Sequence, residues 1–222
     1  MTLHAKDEVA TVVVIDDDAS VCEALRGLFE SVGLSTRTYG STQAFLAEGP
    51  PPGPCCVVLD IRLPGSSGLE FQETLARSGS PLSVVLVSGH VDVQLAVRAM
   101  KSGAVDVLAK PVREQELLEA VNRGLKQAAL RCREAQRSAA LRARYATLTE
   151  RERQVMALVT SGLMNKQIAE RVRVTEATVK LHRGQVMRKM TAASIPELVR
   201  MADLLGGEGP SPAGAGEPMD ER

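Results

Sequence analysis

The chain has 222 residues, 27 acidic against 27 basic, and is 44% hydrophobic, enough for one large or two small packed domains. Aromatic residues make up only 2%, which argues against recognition of single-stranded nucleic acid by base stacking. No stretch approaches the roughly 18–20 consecutive apolar residues of a membrane span, so a cytoplasmic protein with no membrane partner is expected.

The neutral total hides an asymmetry. Residues 1–124 hold 16 Asp and Glu against 10 Lys and Arg, residues 125–205 hold 7 against 16, and the last 17 hold 4 against 1. An acidic first part followed by a basic second part suits a regulated nucleic-acid binder. The four cysteines, Cys22, Cys55, Cys56 and Cys132, show no zinc spacing, and the adjacent Cys55 and Cys56 are poorly placed to bridge each other. Reduced thiols are expected.

Thr11 to Ile15 is a β-branched run that stops at Asp16-Asp17-Asp18. It reads as a strand buried on both faces. Neighbouring carboxylates resist joint ionisation unless a cation accompanies them, and a hard divalent ion such as Mg²⁺ would take oxygen ligands from one or two of them. Ser20 to Val32 carries a helical apolar stripe ended by Gly33. Ser35 to Tyr39 is a short strand, and Ser41 caps a brief helix that stops before the Gly49–Pro54 loop.

Cys56 to Leu59 is a second apolar run, and it ends in one carboxylate, Asp60, followed by Ile61-Arg62-Leu63-Pro64-Gly65. Open α/β sheets bring their chemistry to the carboxyl ends of such strands, so Asp60 is the candidate reacting group. A helix follows over Leu69–Arg77. The Leu82–Val87 strand ends at Ser88-Gly89-His90, Val91 to Ser102 forms a helix closed by Gly103, and the Val105–Leu108 strand leads to Lys110-Pro111. Strand ends carrying acids, a hydroxyl and an ammonium suit phosphoryl capture by a carboxylate. Five strands alternating with five helices imply a parallel, flavodoxin-like sheet of order 2-1-3-4-5.

From Glu114 a helical pattern continues through Tyr145 with Gly124 as its one breaker, which predicts a long helical connector. Thr149-Glu150-Arg151-Glu152 is a capping box, with Val155, Leu158 and Val159 on the buried face of the helix it opens. Asn165 caps a second helix, Val172-Arg173-Val174 turns the chain, and Thr175 caps a third helix to about Met190. Ser194-Ile195-Pro196-Glu197 opens a fourth, to Leu205. Two short helices joined by a tight turn, the second one basic, form a helix-turn-helix. Val179, Val186 and Met190 face its core, so Lys180, Leu181, Gly184 and Arg188 face outward. Lys180 could reach guanine edges and Leu181 a thymine methyl. Lys166, Arg183, Arg188 and Lys189 suit phosphates, and Thr178 and His182 complete the DNA-facing set.

The first 125 residues resemble the receiver domains of two-component response regulators. The resemblance rests on Asp16-Asp17, Asp60 within Asp-Ile-Arg-Leu-Pro-Gly-Ser-Ser-Gly, Ser88-Gly89, and Gly103-Ala104-Val105-Asp106 leading to Lys110-Pro111. It implies that Asp60 accepts a phosphoryl group from a histidine kinase. Asp16, Asp17, Asp60 and the Arg62 main-chain carbonyl would hold Mg²⁺, Ser88 and Gly89 would contact the phosphoryl group, and Lys110 would pair with the phospho-aspartate. A cis Lys110-Pro111 bond also follows from the resemblance. The segment from Leu148 to Leu204 is similar to LuxR-type helix-turn-helices in Leu-Thr-Glu-Arg-Glu-Arg-Gln-Val, Asn-Lys-Gln-Ile-Ala and Thr-Val-Lys-Leu-His-Arg. Together the two point to the FixJ and NarL class, nearer FixJ, with double-stranded DNA, a cognate sensor kinase and RNA polymerase as partners.

Two departures stand out: Val107 replaces the aromatic usual at the switch position, and Val112 follows Pro111 where phenylalanine is common. The signal is therefore expected to travel by repacking of the Val91–Ser102 helix and the next strand, favouring a homodimer on phosphorylation. Expected domains are a receiver at 1–124, a linker at 125–147, a DNA-binding domain at 148–205 and a disordered tail at 206–222. No enzyme activity is expected. Two alternatives stay open: a phosphorylation-independent DNA-binding dimer, and a Mg²⁺-dependent phosphatase of the haloacid-dehalogenase type starting at Asp16 and Asp18.

Overall fold

The computed structural model describes residues 10–206; the expected tail beyond Gly206 and the first nine residues lie outside the described part. The chain divides into two compact units at Ala135/Gln136.

Unit 1 runs β1 (Thr11–Ile15), α1 (Ala19–Ser31), β2 (Ser35–Tyr39), α2 (Thr42–Glu48), β3 (Cys55–Asp60), β4 (Arg62–Leu63), β5 (Ser66–Ser67), α3 (Gly68–Arg77), β6 (Ser83–Ser88), α4 (Val93–Lys101), β7 (Asp106–Ala109) and the first part of α5 (Glu114–Ala146). Five strands form one sheet in the order β2-β1-β3-β6-β7, parallel throughout. Counted by themselves, these strands follow the expected 2-1-3-4-5 order.

Every residue of β1, β3 and β6 is buried, which is why their interiors are apolar and their polar residues stand at the strand ends. Alternate side chains go to opposite faces. Val12, Val14, Cys56, Val58, Val85 and Val87 pack under α1 and α5, while Val13, Ile15, Val57, Leu59, Val84 and Leu86 pack under α2, α3 and α4. With both faces covered, polar chemistry is confined to the strand ends.

Unit 2 comprises the end of α5 with α6 (Glu150–Thr160), α7 (Asn165–Val172), α8 (Glu176–Met190) and α9 (Ile195–Leu205). Its core gathers Val155, Met156, Ile168, Val179, Val186, Met190 and Leu198, all at most 3% exposed. Thr149 and Glu152 make the expected reciprocal capping box on α6. At α7 the expected cap is displaced by one residue. Met164 is the N-cap and Asn165 the first helical residue, because Gln167 Oε1 accepts the Met164 N–H at 2.9 Å, leaving the Asn165 amide free to accept from Arg183.

Gly124 does not break α5. A Cβ there would lie 2.5 Å from Cys56 Sγ, so the glycine lets the helix approach β3 closely. Packing on unit 1 also runs further along α5 than residue 124. Leu125 and Ala128 are buried, Arg131 donates to the Leu82 carbonyl at 3.0 Å, and the Cys132 thiol lies 3.6 Å from the Gly53 carbonyl.

Candidate functional site

The carboxyl ends of β1, β3, β6 and β7 converge on one acidic pocket. Asp16 and Asp60 are 4% and 8% exposed, and Asp17 lies outside in solvent. One carboxylate oxygen from each of the three lies within 4.8 Å of the others. Lys110 Nζ donates to Asp16 Oδ2 at 2.8 Å and to Asp60 Oδ2 at 2.6 Å. Burial works to lower the Lys110 pKa, but hydrogen bonds and charge from the two aspartates outweigh it and hold the ammonium above its usual value. The Lys110-Pro111 peptide is cis, as the resemblance implied.

Local backbone geometry aims these groups. Asp16 Oδ1 accepts the Asp18 N–H at 2.9 Å, and Asp60 Oδ1 accepts the Arg62 N–H at 2.9 Å. Asp18 is no third ligand. It caps α1, accepting from Ser20 and Val21, and these backbone donors hold its carboxyl below the usual carboxylate range. Sequence reading missed this division of labour; its signal was an aspartate one residue before a helical stripe.

The β4–β5 hairpin was also missed. It folds back after Asp60 so that the Gly68 N–H reaches the Ile61 carbonyl at 3.0 Å. A Cβ on Gly68 would stand 2.2 Å from the Asp60 carbonyl oxygen. Only glycine fits, and Gly68 thereby sets the position of the loop that carries Arg62.

Ser88 is 1% exposed and its hydroxyl donates to the His90 carbonyl at 2.8 Å, not into the pocket. Gly89 is exposed and uncrowded. The Ser88 carbonyl accepts the Lys110 N–H at 2.8 Å, tying the two strand ends together. Val107 is half-buried against the α3–α4 side of the core.

In unit 2, α7, a turn with Arg173 in the left-handed region (φ 55°) and α8 make the helix-turn-helix. Lys180, Gly184 and Arg188 are exposed together with Leu181, 62% exposed, so one face of α8 is open. Lys166 is exposed at the start of α7. Thr178 serves the α8 cap, its N–H donating to Thr175 Oγ1 at 3.2 Å. His182 and Arg183 are half-buried, and Arg188 donates to Gln185.

Lys189 departs from the expected phosphate-contacting role. Its ammonium binds buried Glu152 at 2.7 Å and the Thr147 carbonyl at 3.1 Å, because Glu152 needs a cation inside the unit. The Lys189 hydrogen bond, joined by the Thr149 N–H, holds the Glu152 carboxyl below its usual range.

A strand-end acid cluster with a lysine on one unit and an open basic helix-turn-helix on the other define a signal-receiving, DNA-binding regulator. The comparisons agree. Residues 12–122 match the response regulator receiver domain family, and residues 146–202 the bacterial regulatory proteins of the luxR family. Nodulation protein W of Bradyrhizobium diazoefficiens is 48% identical over 198 residues, covering 89% of this chain and 87% of that protein. The transcriptional regulatory protein FixJ of Azorhizobium caulinodans is 44% identical over 199 residues, covering 90% and 94%. The solved structure of response regulator StyR matches with a TM-score of 0.77 at 41% identity, covering 88% of this chain and 98% of that one. The chain belongs to the two-component response regulators that join a receiver domain to a LuxR-type DNA-binding domain. That family consists of transcription regulators, which removes the phosphatase alternative. No helix among the described residues is long and apolar enough to cross a membrane.

Proposed function

We propose that Asp60 takes a phosphoryl group from a sensor histidine kinase in the cytoplasm and that this modification drives promoter binding. The P–N bond of the kinase phosphohistidine breaks as a P–O bond to an Asp60 carboxylate oxygen forms. Asp16, Asp17, Asp60 and the Arg62 main-chain carbonyl would hold Mg²⁺. Three carboxylate oxygens within 4.8 Å suit a small octahedral ion, which when bound offsets charge on the phosphoryl oxygens. The observation that carries the reading is the Lys110 ammonium bridging two buried carboxylates while a third aspartate leaves the pocket negative.

Phosphorylation adds roughly two negative charges at Asp60. Lys110 then turns to the phosphoryl oxygens, and the Ser88 hydroxyl leaves the His90 carbonyl to join it beside Gly89. With valine at the switch position 107, the change passes by repacking of α4 and β7. On α4, Val93, Val97 and Met100 are 78%, 46% and 50% exposed at helical spacing, a stripe that supports a homodimer through this surface. A dimer presents two helix-turn-helices to paired half-sites on double-stranded DNA. Lys180 and Leu181 read base edges across uncrowded Gly184, and Lys166, Arg183, Arg188, Thr178 and His182 contact the DNA backbone; RNA polymerase is the further partner at the promoter. The division is a receiver at 1–124, a connector at 125–147 whose first part, to Ala135, packs on the receiver, and a DNA-binding domain at 148–205.

The same apolar α4 stripe favours one second reading, a dimer that binds DNA without phosphate. Radiolabelling with acetyl phosphate in the wild type and in Asp60→Asn, paired with footprinting, separates the two. The proposal expects label lost in the variant and promoter protection strengthened by phosphate only in the wild type. Equal footprints throughout would leave the constitutive dimer.

A further inference from the structure

Unit 2 contains a cleft of about 800 Å³ between the last turn of α5, α6 and α9. That volume lies within the range of small-molecule sites. Its floor is apolar, built from Met156, Leu163 and Leu205, with Tyr145 at one side. No Asp or Glu lines it, but three arginines do, Arg142, Arg153 and Arg171.

Among the described residues none of these three arginines has an acidic partner. Arg153 is the one of the three that is partly buried. Its guanidinium carbon lies 5.5 Å from the Tyr145 ring centroid, its one hydrogen bond is a long 3.5 Å contact to the Ala146 carbonyl, and its Nε is buried without a partner. Elsewhere in the unit Arg151 donates to the Val172 carbonyl, Arg183 to Asn165 and Arg188 to Gln185.

From this we infer a binding site for a small amphipathic carboxylate, an apolar body with one anionic head. The body covers the floor, and the head takes charge-assisted hydrogen bonds from Arg153 and its neighbours, where bidentate pairing is strongest. A neutral apolar molecule leaves the guanidinium groups unpaired. DNA is excluded on chemistry and place: α8 lends the cleft no residue, and a phosphate backbone has no apolar body to cover the floor. Residues 207–222 bring four acids against one arginine but only Met219 as a large apolar side chain, so they answer the charge and not the floor.

The test is a titration of the full chain with decanoate, and with decanol as the neutral control, followed by amide NMR and thermal melting. Decanoate should shift the amides of Met156, Leu163 and Leu205 saturably and raise the melting temperature. Decanol should bind about tenfold more weakly, and Arg153→Gln and Arg171→Gln should each weaken decanoate about fivefold while leaving decanol unchanged. Arg171 is exposed, so its variant keeps the test independent of folding. No binding, equal affinity for the two probes, or indifference to both arginine variants overturns the assignment. Binding that appears only after residues 207–222 are removed also overturns it, and makes that segment the occupant.

Discussion

Lys110 and Lys189 make the same contact in different settings. Each ammonium lies under 3 Å from a carboxylate that is less than a tenth exposed, Asp16 and Asp60 for the first and Glu152 for the second. At Glu152 the account is balanced: one acid, one base, and a carboxylate that also accepts the Thr149 N–H. At the strand ends three acids face one lysine, so negative charge is left over. A balanced pair holds a fold together, whereas a surplus invites a cation or a reaction. Burial and distance alone do not distinguish the two; counting the charges does.

The strongest challenge to this contrast is Lys110→Ala. Removing one partner of a buried pair typically costs about 3–5 kcal/mol, so urea melts in chelator should show a loss near the lower end. Millimolar Mg²⁺ should restore much of it, since a divalent ion held by Asp16, Asp17 and Asp60 would offset the charge left uncompensated. Lys189→Ala should cost about 2 kcal/mol, and Mg²⁺ should not repair it. Rescue of both variants, or of neither, would erase the distinction.

Acid sharpens it further. Glu152 has a folded-state pKa below its ordinary 4.5, so the unfolded chain binds the proton first. Its contribution is present above that ordinary value and is lost as pH falls through the lower, folded one. Amide exchange across α6 should therefore accelerate on acidification below about pH 4.5 in the wild type, and Glu152→Gln should flatten that dependence.

The smallest effect is expected on the open face of α8. Gly184 is exposed in mid-helix with nothing within 4 Å, and alanine there should stabilise the helix by about 0.5–1 kcal/mol. If Gly184 is kept so that DNA can approach, gel shifts should show weaker binding by the same stabilised variant. A gain in both stability and affinity would remove Gly184 from the DNA-facing set.

Much of this was legible along the chain because it depends on local pattern. The β-branched runs of β1, β3 and β6, the capping residues Ser41, Thr149 and Thr175, and the acids and lysine at strand ends are written at fixed short spacings. The β4–β5 hairpin was not, since two-residue strands have no periodicity to read. Gly68 stood inside a recognised motif without a reason. Its reason is the Asp60 carbonyl eight residues back, a contact that exists only after the chain has folded over.

Sequence alone determined the alternation of strands and helices, the inventory of charged groups, and the division into an acidic receiver and a basic reader. These follow from side-chain volume and polarity, which each residue carries by itself. Tertiary structure decided which charges meet: that Asp16 and Asp60 share the Lys110 ammonium, and that Lys189 turns inward to Glu152. Electrostatic partnership depends on distance and burial, and residues 37 or 94 apart in the chain acquire those only through the packing of the whole.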